Sequence, residues 1–359
     1  MKIVTVIGAR PQFVKAAAVS RVLRESVQEI YVHTGQHYDQ NMSGIFFHEL
    51  GIPEPDYNLG IGGGLHGQMT GRQIEAIEEI LIRESPDSVM VYGDTNSTLA
   101  GALAAVKLHI PIIHVEAGLR SFNRKMPEEI NRVLVDHIST VLFCPTDIAK
   151  NHLAREGITT GVFVVGDVMM DSLHYFSDIA KTRSNILNLL NIEPQKYILL
   201  TMHRAENVDD DETLFTVLKA LNTTRERIIF PVHPRTKSKI KQLLKQDRLI
   251  ISSNIVMIDP VGYLDMILLE SNAKLIMTDS GGVQKEAYWF RVPCITLRDE
   301  TEWIETLESG WNQLVAIQES AICNALETAL PSEIHPDYYG KGDAAVQIIK
   351  HLKEMARSN

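Results

Sequence analysis

Three carboxylates sit at points in this chain where a parallel α/β protein would end a strand or open a helix. Asp94 follows the apolar run Ser88–Tyr92, Glu116 follows Pro111–Val115, and Glu128 lies on the first turn of a helix that Pro127 opens. Positioned carboxylates can take a proton from carbon or give one to a leaving group. Acids at strand ends also cap helices, and that plainer reading stands beside the first. Further on, Thr278-Asp279-Ser280-Gly281-Gly282 separates the apolar run Lys274–Met277 from the helix expected over Val283–Phe290. Bare amides and the positive end of a helix dipole are then offered to an anion, typically a phosphate. Glu286, one turn into that helix, would reach a ribose hydroxyl pair if a nucleotide diphosphate lay on the glycines. The bland alternative is a tight strand–helix turn.

Cations are placed in the same way. Arg10 ends the first strand and Lys15 lies one turn into the next helix, a plausible clamp for a diphosphate, although Lys15 also reads as a solvated helix lysine. His203, Arg204, His233 and Arg235 end two later strands and form an anion-binding set beside the Ser-Gly-Gly turn. Arg132 is four residues from Glu128 and would share its helix face, which reads simply as a surface ion pair.

The elements that must carry these residues alternate strand and helix. Lys2–Ile7, Ile30–His33, Ser88–Tyr92, Pro111–Val115, Thr140–Cys144 and Gly161–Val165 are apolar runs of the kind buried on both faces of a parallel sheet. The alternation restarts with Tyr197–Thr201, Ile228–Val232, Asn254–Ile258, Lys274–Met277 and Pro293–Leu297. Helical spacing is clear over Gln73–Glu84, and a helix is expected near Gly340–Met355. Asp56–Gln68, with Gly60, Gly62, Gly63 and Gly64, reads as a loop that either closes over a ligand or merely connects. The expected organisation is an α/β protein of two Rossmann-like domains with parallel sheets facing across a cleft. The first spans residues 1–167 and holds the acids, the second spans 168–340, and a C-terminal helix over 341–359 crosses back to the first. Ligands in such sheets bind beyond the strands' carboxyl ends.

Composition narrows the function. A net charge of −10 among 359 residues argues against a broad nucleic-acid surface while allowing a local basic pocket. Cys144, Cys294 and Cys323 are scattered and odd in number, which fits reduced thiols and a cytoplasmic protein. The first residues run straight into a strand, so no signal peptide is expected, and no apolar run is long enough for a membrane span. Histidines are spread without HxH, HExxH or CxxC spacing, so no metal is expected. No GxGxxG follows the first strand, so no dinucleotide cofactor is expected either.

Taken in order, the motifs form a combination far more specific than any one of them. They are Gly8-Ala-Arg-Pro11 with Lys15, Gly35-Gln-His37, Gly93-Asp-Thr95, His114-Val-Glu-Ala-Gly-Leu-Arg120, Pro127-Glu-Glu129 with Asn131-Arg132, His203-Arg204, Val232-His-Pro234, Asp259-Pro260 with Tyr263-Leu264, Thr278–Gly282 with Gln284 and Glu286, and Arg298-Asp299 with Thr301-Glu302. Over nearly its whole length the chain resembles the non-hydrolysing UDP-N-acetylglucosamine 2-epimerase family. The resemblance implies a GT-B fold, a homodimer, no cofactor, and a role in supplying surface polysaccharides such as O-antigen or capsule. It implies anti-elimination of UDP from a UDP-2-acetamido sugar, a bound glycal, and re-addition of UDP after reprotonation of C2 on the other face. By motif, Asp94, Glu116 and Glu128 become the acid/base groups, and His203 and Arg10 stabilise the departing diphosphate. Ser280, Gly281 and Gly282 hold its phosphates, Glu286 holds the ribose, Lys15 and Arg132 support the sugar, and His233 and Arg298 complete the substrate set.

The chain departs from the common family pattern at Ala9, Gln12 and Phe13. It departs again at Tyr38 and Asp39, where members activated by their own substrate carry Arg and then Glu or Gln. The resemblance therefore does not extend to substrate activation. The same stretches, with Thr301-Glu302-Trp303, resemble the branch that epimerises UDP-2,3-diacetamido-2,3-dideoxy-glucuronate. A GT-B glycosyltransferase is the alternative of another class. It would need an acceptor pocket and one base rather than three acids.

Overall fold

In the computed structural model, which describes residues 1–36, 54–245, 250–330 and 332–358, the apolar runs are parallel strands. In chain order they are β1 (Lys2–Ile7), β2 (Gln28–His33), β3 (Tyr57–Asn58), β4 (Ser88–Tyr92), β5 (Ile112–Val115), β6 (Val141–Cys144), β7 (Val162–Val164), β8 (Tyr197–Thr201), β9 (Arg227–Pro231), β10 (Ile255–Ile258), β11 (Leu275–Thr278), β12 (Cys294–Thr296) and β13 (Asn312–Leu314). They form two sheets, ordered β3-β2-β1-β4-β5-β6-β7 and β10-β9-β8-β11-β12-β13. Both reverse direction beside their first strand, as a doubly wound sheet does. The reversal lies between β1 and β4 in one sheet and between β8 and β11 in the other.

Side chains alternate across each sheet and both faces are dry. In β8, Ile198 and Leu200 pack with Leu214, Val217 and Leu218 on one side. Tyr197 and Leu199 pack with Leu269, Val283 and Ala287 on the other. In the first sheet Val4, Val6, Val89 and Val91 share a core with Ile77, Leu81 and Ala102. A strand buried on both faces loses its polar alternation, which is why these runs read as unbroken apolar segments.

The short strands β3 and β13 escape a reading by periodicity because their two and three residues are largely polar. The helix expected from Gln73 begins at His66, since Gly67 and Gly71 obscure its apolar spacing. The glycine-rich segment after β3 is held down. Ile61 N–H donates to the Thr34 carbonyl at 2.7 Å, and a side chain at Gly62 would meet the Gly35 carbonyl at 2.2 Å. Residues 37–53 lie outside the described part of the chain, and with them His37, Tyr38 and Asp39 of the expected polar loop.

The chain divides into two compact units. One comprises residues 1–175 and 337–359 and contains the seven-stranded sheet; the other comprises residues 176–336 and contains the six-stranded sheet. In the first unit the helix Ala344–Ser358 packs on the helix Arg10–Leu23. The Asp171 carboxylate accepts from the N–H groups of Ala344 and Ala345 at 3.1 and 2.8 Å. All three cysteines are free, with Cys144 and Cys294 fully buried and Cys323 half-buried. Among the described residues no helix is long and apolar enough to cross a membrane, and no group of three His, Cys, Asp or Glu is placed to hold a metal ion.

Candidate active site

In the first unit the polar residues gather where β1 and β4 end, at the reversal of the sheet. Gln12 ties the two ends together. Its carbonyl oxygen accepts from the N–H of Gly8 and Ala9 at 2.8 and 3.0 Å, and its amide donates to the Tyr92 carbonyl and Thr98 Oγ1 at 2.8 and 3.0 Å. A glutamate there would keep the two acceptor bonds and lose both donor bonds. Gly8 admits no side chain, because a Cβ would fall 2.0 Å from Thr34 Oγ1 and 2.1 Å from Ser97 Oγ. Ser97 N–H and Oγ in turn bond Gln36 Oε1 at 3.0 and 2.7 Å.

Two acids stand on this frame, each paired with a cation. Asp94 accepts a short hydrogen bond from Arg132, and Glu116 accepts one from Lys15. Lys15, Glu116 and Arg132 are buried, whereas Asp94 keeps 29% of its side chain exposed. The solvated reading of Lys15 therefore does not hold. Glu116 sits in the left-handed region with φ of +70°. Its N–H and that of Ala117 both donate to the Phe143 carbonyl at 3.0 Å. A non-glycine residue in that region costs on the order of 1 kcal/mol, a strain that clusters at functional sites. Gly93 faces the pair, since a Cβ there would lie 3.1 Å from Glu116 Oε2 and 3.7 Å from Lys15 Nζ.

The helix Pro127–Ile138 supplies the rest. Its phase decides which of its acids turns inward. Glu128 is exposed, while Glu129, Arg132 and Asp136 form a buried stripe at helical spacing. The surface pair expected between Glu128 and Arg132 is thus replaced. Arg132 bonds Asp94 and, at 3.3 Å, Glu129. Glu129 also accepts from Ser121 N–H and Phe122 N–H at 2.9 and 3.0 Å. Asn131 donates to the Asp94 carbonyl at 2.9 Å, fixing the backbone that presents the acid.

Asp136 anchors the layer beneath. It meets His114 Nδ1 and Arg120 Nη1, each at 2.7 Å, and Gly118 N–H at 3.2 Å. The other ring nitrogen of His114 lies 2.8 Å from the Gly93 carbonyl, so the hub is wired to the residue before Asp94. Arg120 forks onto Glu156 at 2.7 and 2.8 Å. Burial alone would raise the Asp136 carboxyl, but His114 and Arg120 together hold it below the ordinary carboxylate range.

In the second unit the parallel construction falls at the ends of β8 and β11. Ser280 is the N-cap of the helix Gly281–Trp289, yet its side chain makes no capping bond, so nothing from the cap residue occupies the first-turn amides. Asp279, fully buried, aims at the neighbouring strand end. It accepts from His203 N–H at 3.0 Å, Arg204 N–H at 3.0 Å and Asn207 Nδ2 at 3.2 Å, with the His203 ring nitrogen 3.4 Å away. The imidazole of His203 stays more than half exposed, at 56%, and His233 is exposed at the end of β9. Glu286 is buried one turn into the helix. Arg10 opens the helix after β1, in the first unit.

Gly281 lies close under a flexible neighbour. A Cβ would stand 2.7 Å from Glu302 Oε1, and Glu302 pairs with Arg298 at 3.2 Å. Gly281→Ala is expected to displace that flexible carboxylate at little cost in stability while crowding the amides. The affinity for UDP should fall about tenfold by calorimetric titration with the unfolding midpoint nearly unchanged. Unchanged affinity would remove Gly281 from the anion seat.

A family model described as UDP-N-acetylglucosamine 2-epimerase matches residues 21–353. The chain belongs to that family. It is 55% identical over 357 residues to a UDP-N-acetylglucosamine 2-epimerase homolog of Methanococcus maripaludis, covering 99% of this chain and 100% of the other. It is 49% identical to the UDP-2,3-diacetamido-2,3-dideoxy-D-glucuronate 2-epimerase of Pseudomonas aeruginosa, over 99% and 100% of the two chains. Among solved structures, the Methanocaldococcus jannaschii UDP-GlcNAc 2-epimerase in complex with UDP-GlcNAc and UDP superposes with a TM-score of 0.89 at 46% identity, over 99% of this chain and 100% of that one. The two parallel-sheet units are those of the GT-B fold, and the protein is an isomerase of this epimerase family.

Several residues gathered here have no assigned role from sequence alone. Glu129 and Asp136 were missed, although their spacing of three and four residues from Arg132 is the signal that would place all three on one helix face. Asp279 and Asn131 sit inside recognised motifs, but nothing in their spacing says that they fix backbone.

Proposed function

We propose that this chain interconverts the C2 epimers of a UDP-2-acetamido sugar without hydrolysis, UDP-N-acetylglucosamine to UDP-N-acetylmannosamine, to supply surface polysaccharide synthesis. The observation that carries the reading is the pair of cation-held acids, Asp94 and Glu116, at the sheet reversal of one unit, together with the uncapped Ser280-Gly281 helix start at the reversal of the other.

The C2–H bond is barely acidic because no carbonyl adjoins it. Its electrons must leave through C1, forming a C1=C2 double bond as the C1–O bond to UDP breaks. Asp94, Glu116 and Glu128 are the groups to take the C2 proton and to return one to the opposite face, after which UDP adds back at C1. The departing diphosphate carries the developing charge, so its stabilisation is a large contribution. Ser280, Gly281, Gly282, His203, His233, Arg10 and Arg298 supply it, Glu286 binds the ribose, and Lys15 and Arg132 keep two of the acids in place. Residues 168–340 act as the UDP-binding domain in this reading, with residues 1–167 providing the acid/base groups. Action as a cytoplasmic homodimer belongs to the same reading.

A second substrate, UDP-2,3-diacetamido-2,3-dideoxy-glucuronate, is supported by the 49% identity to the Pseudomonas aeruginosa enzyme. Each sugar nucleotide should be incubated with the protein in deuterated water and followed by NMR at C2. The expected result is deuterium at C2 and a manno product, with the faster substrate naming the branch. No exchange with either sugar, and UDP release only when an acceptor is added, would replace the reading by a glycosyltransferase.

A further inference from the structure

Glu270, at the end of the helix Tyr263–Ser271, is only 1% exposed, and among the described residues no donor gives a hydrogen bond to either of its carboxyl oxygens. The group it meets is the side chain of Glu286 on the neighbouring helix. Among the described residues no cation acts on it. Leu269, Ala273, Cys294 and Tyr197 belong to the adjoining core. Tyr197 spends its hydroxyl on the Leu269 carbonyl at 2.6 Å. Cys294 holds its proton, burial pushing the thiol up to about 12.

Two ionised carboxylates cannot face each other in such a place, and a lone buried charge is costlier still. The contact is satisfied only if one carboxyl carries a proton and donates it to the other. Glu270, buried more completely and without any donor, is the protonated partner. Burial and the Glu286 charge both push its carboxyl well above the ordinary range.

We propose that Glu270 is a positioning residue. As a neutral acid it hydrogen-bonds one oxygen of Glu286, and so holds that carboxylate, with its remaining acceptor sites, in the orientation that receives a vicinal diol. The inference deepens the proposed reading of Glu286 as the ribose ligand and rests on it. An anionic acceptor held by a neutral acid is charge-assisted and directional. It fixes the Glu286 rotamer.

The test uses the full chain, with UDP and 2′-deoxy-UDP as calorimetric probes. Glu270→Met, similar in bulk but without a donor, should weaken UDP about tenfold, the worth of one charge-assisted bond. It should also narrow the preference for UDP over 2′-deoxy-UDP and raise KM with kcat little changed. Glu270→Gln, whose amide still donates, should restore most of that preference. The infrared spectrum of the ligand-free wild type at neutral pH should show a protonated carboxylic acid that Glu270→Gln lacks, and this reading does not require the Met variant to fold. Absence of that band, or a Glu270→Met protein that discriminates like the wild type, overturns the proposal. Glu286→Gln separates the two ideas. If it leaves the discrimination intact while the band is present, the ribose reading has failed and the positioning role falls with it; if it abolishes the discrimination while the band is absent, only the shared proton is wrong.

Discussion

Replacing Asp94 by Asn should lower kcat about 10³-fold, within the usual range for loss of a positioned acid or base. The substitution is nearly isosteric. The Asn131 bond goes to the residue 94 carbonyl and is untouched, and an amide oxygen can still accept from Arg132. Folding should therefore be preserved, because the buried Arg132 keeps Glu129 as its counter-charge. What disappears is a proton acceptor. Deuterium incorporation at C2 should fall in step with kcat, while UDP affinity stays within about threefold because the proposed nucleotide seat is in the other unit. A variant that epimerises at the wild-type rate would remove Asp94 from the chemistry. One that stops binding UDP would make it a ligand residue instead. A non-catalytic sugar-nucleotide sensor would keep its binding function in the same experiment.

Arg120→Leu should cost about 3–5 kcal/mol of stability, the range for removing one partner of a buried ion pair. Arg120 satisfies Asp136, both oxygens of Glu156 and the Leu119 carbonyl. Leucine fills part of the volume and serves none of them. Asp136 would be left in the core with His114 and one backbone N–H. The pH dependence should change as well. Asp136 in the folded protein titrates below its unfolded value near 3.8, so its stabilisation is present above that value and is lost as pH falls through the lower, folded one. Without Arg120 the folded carboxyl moves up, and acid unfolding should begin at a higher pH. Urea unfolding at neutral pH and at pH ~4 checks both parts, because that interval spans ordinary carboxylate titration. Arg120→Lys should recover little, since an ammonium cannot span Asp136 and the Glu156 fork together. A loss below about 1 kcal/mol, with the acid limb unmoved, would show that the hub is not a keystone of this unit.

The strand pattern was readable because parallel strands covered on both faces must be apolar along their whole length, as β4 and β8 are. The functional strand ends were readable as polar clusters, such as Gly93-Asp94 and Ser280-Gly281, that interrupt those runs, whereas the strand order that puts them at the reversals was not. What was hidden depends on angle. Glu128 and Glu129 are adjacent in sequence and identical in chemistry, yet about 100° of helical rotation puts one in solvent and the other under Arg132. Lys15 looked solvated because nothing local announces Glu116, which reaches it only through a left-handed backbone. The partnership of Glu270 and Glu286 links two helices whose packing no periodicity of either reveals. Of the departures from the common family pattern, Gln12 is explained by its two donor bonds, which a glutamate could not make.

The unit that carries Asp94 and Glu116 is interrupted in the chain, since residues 337–359 belong to it and residues 176–336 do not. All seven strands of its sheet precede residue 176, and only the helix Ala344–Ser358, which Asp171 holds, joins it from the far side of that insertion. Closure over so long a separation is slow relative to local contacts, so docking of this helix is expected to follow formation of both sheets.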